Sequence, residues 1–318
     1  MQFRAIPTFV MNYHQSKTLI KFLRDRWRIS SAFDLDDLIE ELESSVSIPF
    51  SYFNTFEFSL NSSEKMIRPL HLNFYKANLS LKIIDKLRIK RVNAIRRIAK
   101  GANQLPKRKW TYNKDIISHL YRLTRNTPWP IQFGCSIGQN DAPVLKIYIS
   151  ITDDSVSCEE KLRELCHILE LEWGKLESVF HNERYDAAGI DLTPNGHCAL
   201  KIYTYYVPPF DYAHIKQIYQ KYQRHESAIL DQYLTWIKQI PLRHIGFLYR
   251  ISADSSISAI KIWARLKRPT PYTHLPVLSL TKKELTDWWK GIQQYLNKVN
   301  GGISYVILED QSVGVYFR

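Results

Sequence analysis

One phrase occurs three times in the chain: an apolar residue, lysine, isoleucine, an aromatic. It stands as Leu145-Lys146-Ile147-Tyr148, Leu200-Lys201-Ile202-Tyr203 and Ile260-Lys261-Ile262-Trp263. Successive side chains on a β-strand point to opposite faces, so each lysine shares a face with the aromatic that follows it. Continued along each strand, that face carries Lys146, Tyr148, Lys201, Tyr203, Tyr205, Lys261, Trp263 and Arg265. Cations converging on one enclosed space repel one another unless an anion joins them. The pattern therefore suits a ligand with a strongly anionic head and an apolar, electron-poor body. An isoprenyl diphosphate has both parts. Lysines and arginines would hold the diphosphate and stabilise it as a leaving group. Tyr148, Tyr203, Tyr205 and Trp263 would shield an allylic carbocation from water and stabilise it through their π-faces. Arg250 joins the cationic set if strand parity allows, and Tyr305 and Tyr316 join the aromatic set by the same hairpin logic at the C-terminus.

The elements that must position these residues read as hairpins separated by helices. Paired strand runs occur at 52–60 and 65–75, 129–138 and 144–152, 184–192 and 199–207, 245–252 and 258–267, and 303–308 and 313–317. Turn chemistry lies between several of them, as in Thr193-Pro194-Asn195-Gly196. Helical periodicity marks 12–28, 35–44, 79–99, 114–123, 158–180, 211–239 and 281–299. Five such units, repeating at about 55 residues, give ten antiparallel strands, too many for a flat open sheet. The fold expected is therefore α+β: a ten-stranded antiparallel β-barrel of five ββ hairpins surrounded by α-helices, one domain over 1–318. Closure removes the sheet edges, helices cover the isoleucine face, and the lysine–aromatic face lines a lumen wide enough for a ligand. Asp191 admits two readings, a cap for the Thr193 turn or a catalytic group.

Composition narrows the classes further. The chain has 318 residues, 45% hydrophobic and 24% charged, with a formal net charge of +13. Such an excess points to an anionic partner. There is no apolar run long enough to span a bilayer and no signal-peptide core at the N-terminus, so a cytoplasmic protein with no membrane partner is expected. The four cysteines, Cys135, Cys158, Cys166 and Cys198, show neither CxxC nor zinc spacing, and no metal site is expected. From Lys86 to Lys109 there are ten Lys and Arg and no acid. That helix, over 82–109, carries the competing reading: a basic nucleic-acid- or peptide-binding protein. Aromatics for base stacking are missing until Trp110 and Tyr112, which disfavours nucleic acid.

The stretch Ala188-Gly189-Ile190-Asp191-Leu192, followed by Leu200-Lys201-Ile202-Tyr203, resembles the AGIDL strand and the LK-x-aromatic strand after it in aromatic prenyltransferases of the αββα-barrel (ABBA, or PT-barrel) type. The likeness is nearest to cyanobactin peptide prenyltransferases and cyanobacterial indole prenyltransferases. Glu57 and His71 stand at the separation of that family's general-base Glu and first diphosphate-binding Arg, with His replacing Arg. The resemblance implies a prenyltransferase of natural-product biosynthesis. It would transfer a dimethylallyl or geranyl group from its diphosphate to an electron-rich aromatic acceptor, such as an indole or the Trp or Tyr of a cyclic peptide. The step implied is a Friedel–Crafts-type alkylation with Glu57 as base. The diphosphate set is then Lys146, Lys201, Lys261, Arg265, Arg250 and His71. The chain lacks DDxxD, so no cofactor is required and Mg2+, though compatible, is not indicated. A monomer is expected.

Overall fold

The computed structural model describes residues 55–61, 70–75, 113–126, 131–137, 144–151, 158–180, 184–193, 195–223, 229–270, 303–309 and 312–317. The helices expected over 12–28, 35–44, 79–99 and 281–299, and the basic stretch 82–109, lie outside these residues.

Among the described residues there are ten strands, with helices between hairpins. They are β1 (Thr55–Asn61), β2 (Leu70–Tyr75), β3 (Ile131–Ile137), β4 (Val144–Ser150), β5 (Tyr185–Leu192), β6 (Cys198–Thr204), β7 (Leu242–Ile251), β8 (Ile257–Thr270), β9 (Ile303–Glu309) and β10 (Ser312–Phe317). Each pairs antiparallel with its neighbours in sequence, and β10 pairs with β1 through Ser59 opposite Tyr316, so the sheet closes into a barrel. Carried from strand to strand, the pairing returns to β1 on the face it left. One side of the wall is largely apolar among the described side chains: Ile149, Ile190, Ile202, Phe247, Ile262 and Leu308 are fully buried.

The described helices are α1 (Lys114–Asn126), α2 (Cys158–Ile168), α3 (Trp173–Phe180), α4 (Tyr212–Tyr222) and α5 (Leu230–Ile237). Three of them, α3, α4 and α5, meet the apolar side. Phe180 of α3 and Tyr222 of α4 meet the Tyr249 ring of β7 at 5.1 and 5.9 Å between centroids. Tyr233 of α5 is wholly buried and donates its hydroxyl to the Val306 carbonyl of β9 at 3.1 Å. Local chemistry starts these helices. The Asn113 side chain accepts from the backbone N–H groups of Asp115 and Ile116, and Asp211 accepts from that of His214, each satisfying a free amide of the first turn.

Two long helical stretches are broken. The periodicity over 158–180 belongs to α2 and α3, not to one helix. Glu170 takes a left-handed φ of 56° and the Leu171 N–H closes back on the Cys166 carbonyl at 2.8 Å, a Schellman-type stop. Leu162, Leu165, Cys166 and Leu176 are all buried, so the apolar rhythm runs across the break without a continuous backbone. The stretch 211–239 likewise contains α4 and α5, whose C-cap and N-cap stand at Gln223 and Ile229.

Candidate active site

The lysine–aromatic face is the other side of the wall, and the register arranges it in rows across the strands. One row runs Glu57, Asn73, Gly134, Lys146, Asp191. The next runs Gln132, Tyr148, Gly189, Lys201, Arg250. Below it come Ala187, Tyr203, Leu248, Lys261, Glu309. Then follow Gly246, Trp263, Ile307, Gly314, and last His244, Arg265, Tyr305, Tyr316, Ser59. The three lysines thus occupy successive rows, each one strand or more further round the wall.

The lysines are not bare charges. Lys201 forms a salt bridge to the Asp191 carboxylate on the neighbouring strand, and both are buried. Lys146, only 4% exposed, lies directly opposite Asp191 in the ladder. Burial alone would raise the Asp191 carboxyl, but the field of Lys201, Lys146 and Arg250 outweighs it and holds the group below the usual carboxylate range. Asp191 Oδ1 accepts no hydrogen bond among the described residues. Asp191 therefore does not cap the Thr193 turn. That turn is closed by the Thr193 hydroxyl and backbone on the His197 carbonyl, with Gly196 at a φ of 85°. Lys261 is paired in turn with Glu309 at 2.5 Å, directly across the β8–β9 ladder. The repulsion expected among the lysines is thus relieved partly by two carboxylates of the wall itself. Arg250 has the inner-face register of Lys201, but its side chain is exposed at the rim.

The aromatics fill the space around these pairs. Tyr148 and Tyr203 meet edge to face with centroids 6.0 Å apart. Gly189 makes this possible: a Cβ there would sit 3.3 Å from both rings. Trp263 lies over Gly246, where a Cβ would collide with the Thr204 carbonyl oxygen and come within 2.8 Å of the indole. Its Nε1–H donates to the Phe247 carbonyl at 3.2 Å, which satisfies the one polar atom of a buried ring.

Towards the last row the character changes. The Arg265 guanidinium stands 5.4 Å from the centre of the Tyr305 ring, and Tyr305 also meets Trp263 at 6.3 Å and Tyr316 at 6.4 Å. Tyr205 meets the His244 imidazole at 5.0 Å. Asp186 and Arg243 act electrostatically on this end as well. Surrounding protein raises the Asp186 carboxyl, partly offset by Arg265 and Arg243, although the residue is exposed to solvent. Burial, then Arg243 and Arg265, lower the His244 imidazole, favouring its neutral form.

The register brings Glu57 and His71 to the same face. Glu57 shares the row of Lys146, about 14 Å away across three strand spacings. His71 lies opposite Ser136, one row beyond. The residues missed in the sequence are Asp191 as an ion-pair partner, Glu309, Asp186, His244 and Gly189. Parity alone places Asp191, Glu309 and Gly189 on the lysine face, and that was the available signal. Burial pushes the Cys166 thiol up to about 12, and burial with Asp191 pushes Cys198 up to about 11, which disfavours their thiolates. Among the described residues no helix is long and apolar enough to cross a membrane, and no group of three His, Cys, Asp or Glu stands together as a metal site.

By sequence, neither a family model nor a curated protein matches the chain. By structure, the chain matches solved prenyltransferases. The 5-dimethylallyltryptophan synthase of Streptomyces coelicolor superposes with a TM-score of 0.66 at 10% identity, over 90% of this chain and 92% of that one. The prenyltransferase PriB, in ternary complex with L-tryptophan and dimethylallyl thiolodiphosphate, gives 0.59 at 12% identity over 95% and 94%. The NotF prenyltransferase gives 0.55 at 14% identity over 100% and 97%. At these identities the likeness is one of fold, and the chain has the barrel fold of the ABBA-type prenyltransferases.

Proposed function

We propose that the protein is an aromatic prenyltransferase that moves a dimethylallyl or geranyl group from its diphosphate to an electron-rich aromatic acceptor, with an indole, free or as a tryptophan side chain, as the leading class. One observation carries the reading: Lys146, Lys201 and Lys261 occupy successive rows of one inner face, each beside an aromatic of the same face. The shared fold supports it, as does the pairing of tryptophan with a dimethylallyl donor in the ternary PriB complex.

In this reading the diphosphate lies against Lys146, Lys201 and Lys261, with Arg250 at the rim and Arg265 deeper in. Charge-assisted hydrogen bonds there stabilise the negative charge that grows as the allylic C–O bond breaks. The allyl cation forms beneath Tyr148, Tyr203 and Trp263, with Tyr305, Tyr316 and Tyr205 beyond, and their π-faces stabilise it while keeping water out. The acceptor ring attacks the cation, and Glu57 takes the proton from the acceptor. The lysines supply the positive charge for departure of diphosphate, so Mg2+ is accessory at most. His71, in a row next to Glu57, completes the diphosphate set. A monomer is sufficient, because the barrel closes within one chain.

The test is incubation with dimethylallyl or geranyl diphosphate against indoles, tryptophan, tyrosine and cyclic peptides, read by mass. A prenylated acceptor is expected, lost in Lys201→Ala and Lys261→Ala together with donor binding. Donor binding that survives unchanged in both variants sinks the proposal. The competing basic-helix reading predicts instead that charge reversal at Arg96 and Arg97 abolishes binding, with a steep salt dependence.

A further inference from the structure

The inner face holds two carboxylates that the proposed reaction does not use. Asp191 is paired with Lys201 and faces Lys146, and Glu309 is paired with Lys261. Both acids sit in the rows that hold the lysines, not at the distal end with Arg265. Asp191 is only 7% exposed, yet its Oδ1 has no hydrogen-bond donor among the described residues. A carboxylate held for structural reasons would be expected to take a full set of donors at such depth. What keeps this one ionised is the charge around it, so its role is electrostatic.

We infer that Asp191 and Glu309 are resident counter-ions that set how tightly the inner-face lysines hold a polyanion, and that they weight the site towards releasing free diphosphate. The inference rests on reading this wall as a diphosphate site. Without the acids, Lys201 and Lys261 would lose the carboxylates they pair with, and Lys146 the one opposite it in the ladder. With them, part of the positive charge is met within the wall, and an incoming diphosphate shares Lys201 and Lys261, which are already paired. The repulsion between a fixed carboxylate and a bound anion grows with the anion's charge. Free diphosphate carries more negative charge than its ester, because the oxygen released by the prenyl group is ionisable. The carboxylates therefore disfavour product more than donor. They would be positioning residues, acting through the lysine ammonium groups.

The experiment measures binding of inorganic pyrophosphate by calorimetry to the wild-type chain, Asp191→Asn and Glu309→Gln, each checked for folding by thermal melting. Each neutral variant is expected to bind pyrophosphate about tenfold more tightly. In steady state with dimethylallyl diphosphate, each should be inhibited by added pyrophosphate at correspondingly lower concentration. A carboxylate that only supported the fold would lower the melting temperature and leave the affinity unchanged. Glu309→Gln decides the matter if Asp191→Asn does not fold, because the Lys261–Glu309 pair is only partly buried. Unchanged or weaker pyrophosphate binding in the folded variants, with the wild type binding, overturns this inference alone. A wild type that does not bind pyrophosphate overturns the diphosphate reading and this inference with it.

Discussion

Lys201 and Asp191 stand on adjacent strands, diagonal in the ladder, and join as a buried ion pair on the inner wall of the barrel. Lys146 faces the same carboxylate from the other side. The arrangement is a charge cluster whose members depend on one another, and it makes the consequences of single substitutions unequal.

Replacing Lys201 removes the partner of a buried carboxylate. Breaking such a pair from one side costs roughly 3–5 kcal/mol, and the lower end applies here because Lys146 remains beside Asp191. Lys201→Met should lower the melting temperature and weaken pyrophosphate binding by at least about tenfold. Thermal melts and calorimetry on the same preparation read both effects.

The pH dependence of stability has a definite sign. The folded-state pKa of Asp191 lies below its ordinary value, so its stabilising contribution is complete above about 4 and fades as pH falls through the folded value. Asp186 works the other way: its folded pKa is raised, so its ionised form costs stability at neutral pH and protonation relieves that cost. The gap in melting temperature between wild type and Asp191→Asn should therefore be constant above pH 5 and narrow below about 4. Asp186→Asn should be more stable than wild type at pH 7. Melts recorded across that range check both.

Gly189 and Gly246, both on the inner face, should respond differently to a methyl group. At Gly246 a Cβ collides with the Thr204 backbone, which has no free rotation to escape. At Gly189 it meets only the Tyr148 and Tyr203 rings, at 3.3 Å. Gly189→Ala should fold with a loss of about 1–2 kcal/mol, whereas Gly246→Ala should lose 3 kcal/mol or more, roughly, or fail to fold. Denaturant titration ranks them.

Trp263 serves both packing and, in the proposed reaction, exclusion of water. Trp263→Ala should destabilise the barrel by about 3–5 kcal/mol. Under the proposed mechanism it should also raise the fraction of donor hydrolysed to prenyl alcohol. Product analysis with dimethylallyl diphosphate measures that fraction; an unaltered ratio of hydrolysis to transfer removes Trp263 from the shield.

Glu57→Gln keeps the shape of the side chain and removes the base. Turnover should fall by roughly 10²–10⁴ with donor binding intact, the range for loss of a general base. Full activity would move the base elsewhere.

The recurrence of Lys146, Lys201 and Lys261 before aromatics, and the two-residue alternation of their strands, sufficed to place all three on one face. That alternation is a covalent property of extended backbone, so it is legible one strand at a time. The hairpin turns were legible for the same reason: Thr193 to Gly196 carries its own hydrogen bonds and its own left-handed glycine. The ion pairs of Asp191 are not legible in sequence, because its nearest chemistry there is the turn, while its partners, Lys201 and Lys146, come from two different strands. Likewise Glu309 closes β9 and finds Lys261 only through the β8–β9 register.

Sequence by itself thus determined which residues share a face and how many hairpins carry them, because local sterics dictate both. Only the tertiary structure decided which charges meet, where α2 ends and α3 begins, and that Tyr148 and Tyr203 can close over Gly189. Those contacts depend on register between strands and on closure of the ring, which sum interactions from the whole chain.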